Sequence, residues 1–502
     1  MESLRFPWGD GDRERDREVA PSAFRPRTSG KRGDRGRNGG RAQATRTVRA
    51  ETPRRRAAVS RSVRATLPVK GATHGSSRIG RETVPHDPAV GRVVQGPQRE
   101  RHEPDYVLLA VAVALAALGI LMVYSSGGHQ AALDGNVFDA IAEQLGWGLL
   151  GALVMVVMMR IDFRYWRTFS VLGMAVAVIL LLLVLGPRIP PLINPVYNNG
   201  ATRWLQIGSL PSFQPTEIAK LAIVLFLAHW LAQRGGQVGS FRRGMLPFLL
   251  ILGPMAVLIV AEPDLGTTGV VVLAAFAMFF VAGGSLLQML LLVPIGLAGV
   301  AGVIFKTNYM QTRLEVYQDP LGDPSGPGYQ TFRGIQALAQ GGLTGTGLGQ
   351  SQQPSGLTVP AAQNDFIFSV IGQELGFIGA VLVIGLFLLL AWRGMRVAMN
   401  APDTFGGLLA LGITAWLTFQ ALINIGVVVS IIPMTGMPLP FLSKGGTSLV
   451  VVLAAVGILL SISRETVTRG ADPHEDPHRS RGHRRPHLSG PGRRDPAAES
   501  PA

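Results

Sequence analysis

The sequence predicts an all-α polytopic membrane protein with ten transmembrane helices, and three observations support this. Of the 502 residues, 47% are hydrophobic and 16% are charged, whereas soluble domains carry about 25% charged residues. Most of the charge lies at the two ends of the chain. Between the ends, apolar runs recur at about the 20 residues that an α-helix needs to cross a bilayer. A soluble enzyme is therefore excluded.

The chain divides into three parts by composition. Residues 1–104 are rich in Arg, Gly and Pro and are predicted to form a disordered cytoplasmic tail. Residues 105–463 form the predicted ten-helix membrane domain, and residues 464–502 form a second disordered basic tail on the cytoplasmic side. The first tail resembles Arg/Gly-rich RNA-binding segments, but we favour contact with anionic lipid headgroups. No nucleic-acid partner is therefore expected.

The apolar runs define the expected membrane spans. They cover residues 106–126, 143–160, 167–186, 216–232, 244–261, 265–282, 285–305, 366–392, 404–432 and 440–462. Counts of nine or eleven spans stay open, because the runs at 366–392 and 404–432 are long enough to be tilted or broken. The chain has no Cys, which excludes disulfides and thiolate metal sites.

Arginine placement predicts the orientation of these spans. Basic residues concentrate on the cytoplasmic connections of membrane proteins. Here Arg160 and Arg164 follow the second span, Arg242 follows the fourth and Arg393 follows the eighth, whereas the first connection has no Lys or Arg. Both chain termini are therefore expected in the cytoplasm.

Two connections on the predicted outer face are unusually long. They precede the fourth and eighth spans and cover residues 187–215 and 306–365. Loops longer than about 12–15 residues are usually functional or disordered. These two contain aromatic residues such as Trp204 and Tyr329, unlike the tails. The chemistry is therefore expected on the outer face.

The end of the first long loop carries three candidate residues. Pro215, Thr216 and Glu217 form a typical helix start, so Glu217 serves either the helix dipole or the function. Lys220 follows one turn later and can pair with Glu217. Arg203, beside Trp204, is suited either to hold a phosphate or to anchor the chain at the interface.

Two further motifs combine charged residues with glycines at outer helix starts. Asp264 and Gly266 lie at the start of the sixth span, where Asp264 can cap the helix and Gly266 allows close packing. Lys444, Gly445 and Gly446 precede the last span. They offer a cation and backbone N–H groups for a pyrophosphate, or the glycines only let the helix pack tightly.

Two carboxylates stand near the second long loop. Asp365 lies where the loop enters an apolar helix, and Glu374 lies two to three turns inside it. A half-desolvated carboxylate at the membrane rim has a raised pKa and can act as a general base. Asp365 is equally suited to cap the helix. The Gly-rich segment at 328–351 contains a short predicted helix. Its glycines do not have the G-x-G-x-x-G spacing of a dinucleotide-binding motif, so that function is excluded.

Taken in order, these motifs resemble the SEDS (FtsW/RodA/SpoVE) family, slightly more its division branch. The matching segments are NGATRW with QPTEIAK, PDLGT, GYQ with GGLTGTGLGQS, DFIFSVIGQELG and PLPFLSKGGTS, and they span about residues 105–463. The resemblance implies a peptidoglycan glycosyltransferase in the bacterial cytoplasmic membrane. It would polymerise lipid II outside that membrane, with a class B penicillin-binding protein, other divisome or elongasome proteins, the nascent glycan strand and membrane lipids as partners.

The resemblance also implies roles for individual residues. Asp365 matches the essential aspartate of the family and is expected to deprotonate the acceptor 4-hydroxyl, which displaces polyprenyl pyrophosphate with inversion. The candidate substrate and pyrophosphate ligands are Arg203, Gln214, Glu217, Lys220, Arg313 and Lys444. The structural motif residues are Asp264, Gly266, Glu374, Gly445 and Gly446. No cofactor is assigned, and a divalent cation (Mg²⁺ or Mn²⁺) stays open.

The sequence departs from the family pattern at several positions. Glu-Ala-His-Thr is replaced by Ala361 to Asn364, and the other changes are Lys444 for Tyr, Gln373 for Glu and Glu262 for Gln. Two other functions therefore stay open: a lipid II flippase that uses the buried charges, and a scaffold that recruits a transpeptidase.

Overall fold

The computed structural model describes residues 103–133, 137–187, 193–198, 201–209, 211–322, 325–352, 359 and 362–465. The predicted tails lie outside these residues, apart from the positions that border the membrane domain. The helices are α1 Tyr106–Leu133, α2 Val137–Arg160, α3 Arg164–Leu185, α4 Pro215–Arg234, α5 Leu246–Ala261, α6 Leu265–Val281, α7 Leu286–Lys306, α8 Asn308–Gln318, α9 Tyr329–Gly341, α10 Ile367–Met399, α11 Thr404–Val428 and α12 Gly446–Ser463, and the strands are β1 Ile193–Asn198 and β2 Ala201–Ile207.

The polytopic helical fold is confirmed. Within the described ranges, nine helices are long and apolar enough to cross a membrane. The remaining predicted span is α6, an apolar helix of 17 residues, which is the lower end of the crossing length. The two long outer connections precede α4 and α10, the fourth and eighth of these ten helices, as predicted.

The outer connection before α4 contains a two-stranded antiparallel sheet that an all-α prediction lacks. Strands β1 and β2 pair with Val196 opposite Trp204, and Leu205 pairs further with Phe213. The sequence offers β-branched and aromatic residues on both sides of Asn199 and Gly200, a pattern typical of a tight hairpin. The hairpin places Arg203 and Trp204 at the mouth of the bundle.

The predicted ninth and tenth spans end and begin at different residues in the structure. Helix α11 ends at Val428 and α12 begins at Gly446, so residues 429–445 are a non-helical segment. Its prolines remove backbone donors that a helix needs. Leu439, Phe441 and Leu442 are at most 3% exposed, so their apolar character reflects burial in protein rather than in lipid.

Helices α4, α11 and α12 form the centre of the bundle. Most of their residues are buried, and α11 packs against α4, α6 and α10. In contrast, α7 contributes no buried residue. The central position of α11 matters for the site, because its side chains Gln420 and Asn424 are buried beneath the outer surface.

Helix α10 is broken at Gly376, where φ is 70° and ψ is −169°. A left-handed backbone of this kind favours glycine. The residues on either side of the break bond to the glycine-rich loop after α9. Thr346 N donates to the Gln373 carbonyl (2.9 Å), and Phe377 N donates to the Gly342 carbonyl (2.9 Å). The loop therefore satisfies the backbone groups that the broken helix leaves unpaired.

Ion pairs close the cytoplasmic end of the bundle. Arg164 Nη1 lies 2.5 Å from Glu465 and 3.2 Å from Asp162. Arg393 Nη2 lies 2.5 Å from Asp105. Because Asp105 precedes α1 and Glu465 follows α12, these contacts join the first and last helices to α10 and α3.

Candidate functional site

A cavity of about 890 Å³ opens at the outer end of the bundle. Eight segments meet there: the β1–β2 hairpin, the starts of α4, α9 and α12, the outer part of α2, helix α8, the residues just before α10, and the non-helical segment 429–445. The lining combines the aromatic side chains Trp147 and Trp204 with charged groups. Both long outer connections and both ends of the membrane domain therefore contribute to one site.

Asp365 lies in the wall of this cavity, partly exposed. The N-cap residue of α10 is Phe366, so the carboxylate of Asp365 is left for another partner. Gln330 Nε2 donates a hydrogen bond of 3.2 Å to Asp365 Oδ1. Burial raises the pKa of Asp365 above the ordinary carboxyl value, and Arg313, Gln330 and Arg203 partly oppose this shift. Asp365 is thus a stronger base than an exposed aspartate.

Helix α11 fixes the backbone beside Asp365. Asn424 Nδ2 donates to the Asp365 carbonyl and to the Met437 carbonyl, each at 2.8 Å. One turn earlier, Gln420 Nε2 donates to the Pro438 carbonyl at 2.9 Å. Two amides on one helix face therefore hold the backbone of Asp365 and the non-helical segment 429–445 in a single arrangement.

Two guanidinium groups converge on the other side of the cavity. A Cβ on Gly436 would lie 3.5 Å from Arg313 Nη2 and 3.6 Å from Arg203 Nη1. Arg203 Nε donates to the Glu262 carbonyl at 3.1 Å and its Nη2 donates to the Pro263 carbonyl, while Arg313 Nη1 donates to the Met434 carbonyl at 2.9 Å. Both arginines are therefore oriented by backbone carbonyls.

The segment between α5 and α6 supports Arg203. Asp264 caps α6 by accepting from Thr267 N (3.0 Å) and from Thr267 Oγ1 (2.8 Å), which confirms its predicted capping role. Gly266 packs against Thr435 and Met437 so closely that a Cβ would overlap both. Glu262 is 0% exposed, and burial together with Asp264 raises its pKa to about 9, with Arg203 opposing.

The start of α12 brings a third cationic feature to the cavity. Lys444 is exposed and lines the cavity together with Gly445 and Gly446. The cap position Gly445 has no side chain to cap the helix, and Gly446, Thr447 and Ser448 of the first turn line the cavity. Gly446 also packs on the ring of Trp147, where a Cβ would overlap. Both predicted roles of the glycines are therefore compatible with the structure.

Glu217 and Lys220 lie away from the cavity wall. Each side chain is 2% exposed, and Lys220 Nζ lies 2.8 Å from Glu217 Oε1. Lys220 Nζ also donates to Gln420 Oε1 at 2.7 Å and sits 5.2 Å from the Trp416 ring centroid. The predicted pairing is confirmed, while binding of pyrophosphate by this pair stays a prediction. Gln214, one turn earlier, does line the cavity.

Glu374 is buried in a second polar cluster below the cavity. It accepts hydrogen bonds from Ser125 Oγ and Ser351 Oγ, and Gly349 N donates to Ser125 Oγ at 2.7 Å. Helix α1, the glycine-rich loop and α10 are thereby joined through one carboxylate. Glu374 holds the loop in place, in line with its assignment as a structural residue.

Three contributors to the site were not predicted. Gln330, Asn424 and Trp147 carry no charge, and isolated polar or aromatic residues give no sequence signal of proximity. The position of Gln330 within the GYQ motif is the one available indication.

Within the described ranges, no three His, Asp or Glu side chains lie close enough to hold a metal ion, and the divalent cation stays a prediction.

The fold and this site define a class of protein: a polytopic helical membrane protein with a polar outer cavity whose wall carries Asp365 together with several cationic side chains. Residues 105–468 match the FtsW/RodA/SpoVE family, described as "Cell cycle protein". The chain belongs to this family. It is therefore a multi-pass protein of the bacterial cytoplasmic membrane.

Individual relatives agree with this assignment. The chain is 41% identical to stage V sporulation protein E of Bacillus subtilis (strain 168) over 73% of this chain and 98% of the relative. It is 39% identical to a probable peptidoglycan glycosyltransferase FtsW of Trichlorobacter lovleyi, over 72% and 93%.

Two solved structures share the fold. One belongs to work titled "Structural coordination of polymerization and crosslinking by a peptidoglycan synthase complex", with 28% identity, a TM-score of 0.59, and 72% of this chain and 98% of that chain covered. The other is the rod shape determining protein RodA of Thermus thermophilus, with 26% identity, a TM-score of 0.52, and coverage of 74% and 98%.

Proposed function

We propose that the protein is a peptidoglycan glycosyltransferase that polymerises lipid II at the outer face of the cytoplasmic membrane for cell division or elongation. The observation that carries this proposal is Asp365: a carboxylate with a raised pKa, held by Gln330, in the wall of an outer cavity. The named activity of the FtsW relatives supports the same substrate class.

In the proposed reaction, Asp365 takes the proton from the 4-hydroxyl of the acceptor sugar. The oxygen attacks the anomeric carbon of the lipid-linked donor, the bond to pyrophosphate breaks, and polyprenyl pyrophosphate leaves with inversion. The protonated Asp365 returns its proton to water before the next cycle. General-base assistance of this kind contributes about 10²–10⁴-fold to the rate.

The leaving pyrophosphate needs positive charge and N–H donors. Arg203 and Arg313 lie on one side of the cavity, and Lys444 with the uncapped start of α12 lies on another. Such preorganised donors stabilise charge as it develops in the transition state. Trp147 and Trp204 offer apolar faces on which the glycan can stack. If a divalent cation takes part, it would add to this charge.

The flippase alternative depended on buried ionisable groups along a transport path. In the structure, Glu217 and Lys220 neutralise each other, and Glu374 is bonded to two serine hydroxyls. These groups are therefore occupied within the bundle, whereas Asp365 faces the cavity. This contrast supports a polymerase.

We further propose a class B penicillin-binding protein as the partner that crosslinks the product.

The test measures glycan polymer from fluorescent lipid II on a gel, using the purified full chain with and without the candidate transpeptidase. Asp365→Asn should lower the amount of polymer formed at least a hundredfold while the protein stays folded. The matched control is Asp319→Asn, the same change at an exposed aspartate after α8. Equal polymer from Asp365→Asn would remove Asp365 from its role. If the folded wild-type protein makes no polymer with or without the transpeptidase, the proposed function is overturned and the role of a scaffold that recruits a transpeptidase remains.

A further inference from the structure

The cytoplasmic connection between α4 and α5 carries an unusual concentration of positive charge. Arg234, Arg242 and Arg243 lie within ten residues, and the sequence contains no Asp or Glu between Glu217 and Glu262. The site lies at the opposite end of the bundle from the outer cavity, so it is independent of the proposed reaction.

These arginines differ from Arg164 and Arg393, on the same side of the bundle, in how their charge is balanced. Arg164 and Arg393 each form ion pairs with carboxylates. In the part of the chain that the structure describes, Arg234, Arg242 and Arg243 form no ion pair. Arg242 and Arg243 are exposed. Their charge is therefore available to an external anion.

The connection is an ordered structure rather than a loose loop. Ser240 Oγ accepts from Arg243 N at 3.3 Å and donates to the Gln237 carbonyl at 3.0 Å. Arg234 Nη1 donates to the Arg243 carbonyl at 3.5 Å. Gly244 packs on Val238 so closely that a Cβ would overlap it. The arginines are thus presented from a fixed backbone, which lowers the entropy cost of binding.

Apolar side chains stand directly beside the arginines. Phe241 is 53% exposed and Leu246, at the start of α5, is 42% exposed. The Arg234 guanidinium lies 4.9 Å from the Trp230 ring centroid. Aromatic residues next to cations at the end of a spanning helix are typical of the membrane–water interface. The charge is therefore placed at the depth of lipid headgroups.

We propose that this connection is a binding site for the headgroup of an anionic phospholipid. A cavity of about 490 Å³ is lined by Gly236, Gln237, Ser240, Phe241, Arg242 and Arg243. Arg242 and Arg243 bind the phosphate, Gln237 and Ser240 hydrogen-bond to the polar headgroup, and Phe241 contacts the acyl chains. A lipid fits better than an acidic peptide, because the exposed Phe241 and Leu246 need an apolar neighbour.

The experiment titrates the detergent-solubilised full chain with phosphatidylglycerol or phosphatidylcholine and measures lipid bound by native mass spectrometry. Wild type should bind phosphatidylglycerol at least tenfold more tightly. Arg242→Gln/Arg243→Gln should weaken that binding about 25-fold, at about fivefold for each arginine. The matched control, Arg160→Gln/Arg396→Gln, removes the same charge from two exposed arginines on the same side outside the cavity and should keep wild-type binding.

A second variant separates binding from folding. Arg242→Lys/Arg243→Lys keeps the charge and should retain most of the preference for phosphatidylglycerol. Equal binding of the two lipids to wild type would overturn the proposal, as would an equal loss in the control variant. Displacement of phosphatidylglycerol by millimolar inorganic phosphate or by an acidic peptide at equal concentration would also overturn it, because the site would then recognise charge without the lipid.

Discussion

Two carboxylates nine residues apart in the chain, Asp365 and Glu374, have opposite surroundings. Glu374 is 1% exposed and accepts hydrogen bonds from Ser125 and Ser351, which belong to two other segments. Asp365 is partly exposed to the outer cavity and accepts a side-chain hydrogen bond from Gln330. The sequence offers both as acidic residues near the start of one apolar helix.

The difference shows how the surroundings of a carboxylate decide its use. The hydroxyl donors around Glu374 stabilise it in one place, so it joins segments and cannot reach a substrate. Asp365 keeps acceptor capacity towards the cavity, and burial raises its pKa. A buried carboxylate with many donors is a structural element, and one with few donors at a cavity wall is a candidate base.

The largest effect on stability is expected at Glu374. Glu374→Ala leaves the buried Ser125 and Ser351 hydroxyls without their acceptor and opens a cavity, so it should lower the free energy of unfolding by about 3 kcal/mol. Glu374→Gln keeps an acceptor and should cost less. Unfolding in mixed micelles measures both. Unchanged stability with loss of polymerisation would contradict the comparison, since Glu374 would then act in the chemistry.

A third carboxyl, Glu262, sharpens the comparison because neither of its buried oxygens has a hydrogen-bond partner among the residues that the structure describes. Its pKa of about 9 lies above that of an unfolded glutamate, so the folded state binds one more proton between about pH 5 and pH 9. Stability should therefore fall with rising pH in this window, by up to ~1.4 kcal/mol per pH unit.

Glu262→Gln removes the carboxyl that binds this proton and keeps the shape of the side chain. Thermal unfolding across pH 5–9 should show the variant gaining on wild type as pH rises, with the gap constant above pH 9. The same substitution at the exposed Glu315 of α8 is the control and should leave the pH dependence unchanged. Parallel curves for Glu262→Gln and wild type would show that Glu262 is ionised in the folded protein.

The smallest effect is expected at Gln330. Gln330→Ala removes the hydrogen bond that lowers the pKa of Asp365, so the acid limb of the pH–rate profile should move to higher pH. The polymerisation rate near neutral pH should fall about tenfold, because a hydrogen bond to a charged group contributes about 1.5 kcal/mol or more. A rate loss with no shift of the acid limb would indicate a role in substrate binding instead.

Much of the fold could be predicted because lipid imposes a simple rule on sequence. Each span needs about 20 apolar residues, and charge is confined to the connections. The same rule failed at residues 429–432 and 440–445, which were predicted as parts of spans but belong to the non-helical segment between α11 and α12. It also gave no information on the β1–β2 hairpin or on α8, which lie outside the spans.

The site could be predicted in part. Asp365, Arg203 and Lys444 are charged residues at outer helix or strand positions, and all three line the cavity. Gln330 and Asn424 could not be found, because their importance depends on contacts with residues 35 and 59 positions away. The burial of Glu217 and Lys220 could not be predicted either, because a charged pair three residues apart has the same sequence pattern at the surface and in the core.

The break at Gly376 has a consequence for how the protein is made. A straight 33-residue α10 would be about 50 Å long, well beyond the roughly 30 Å hydrocarbon core. The part after the break, about 35 Å long, suffices as the inserted segment. The part before it reaches its final geometry only when the glycine-rich loop, which lies on the same outer face, docks against the break. Biogenesis of the outer face therefore has two stages, insertion and then docking, and Asp365 is positioned in the second.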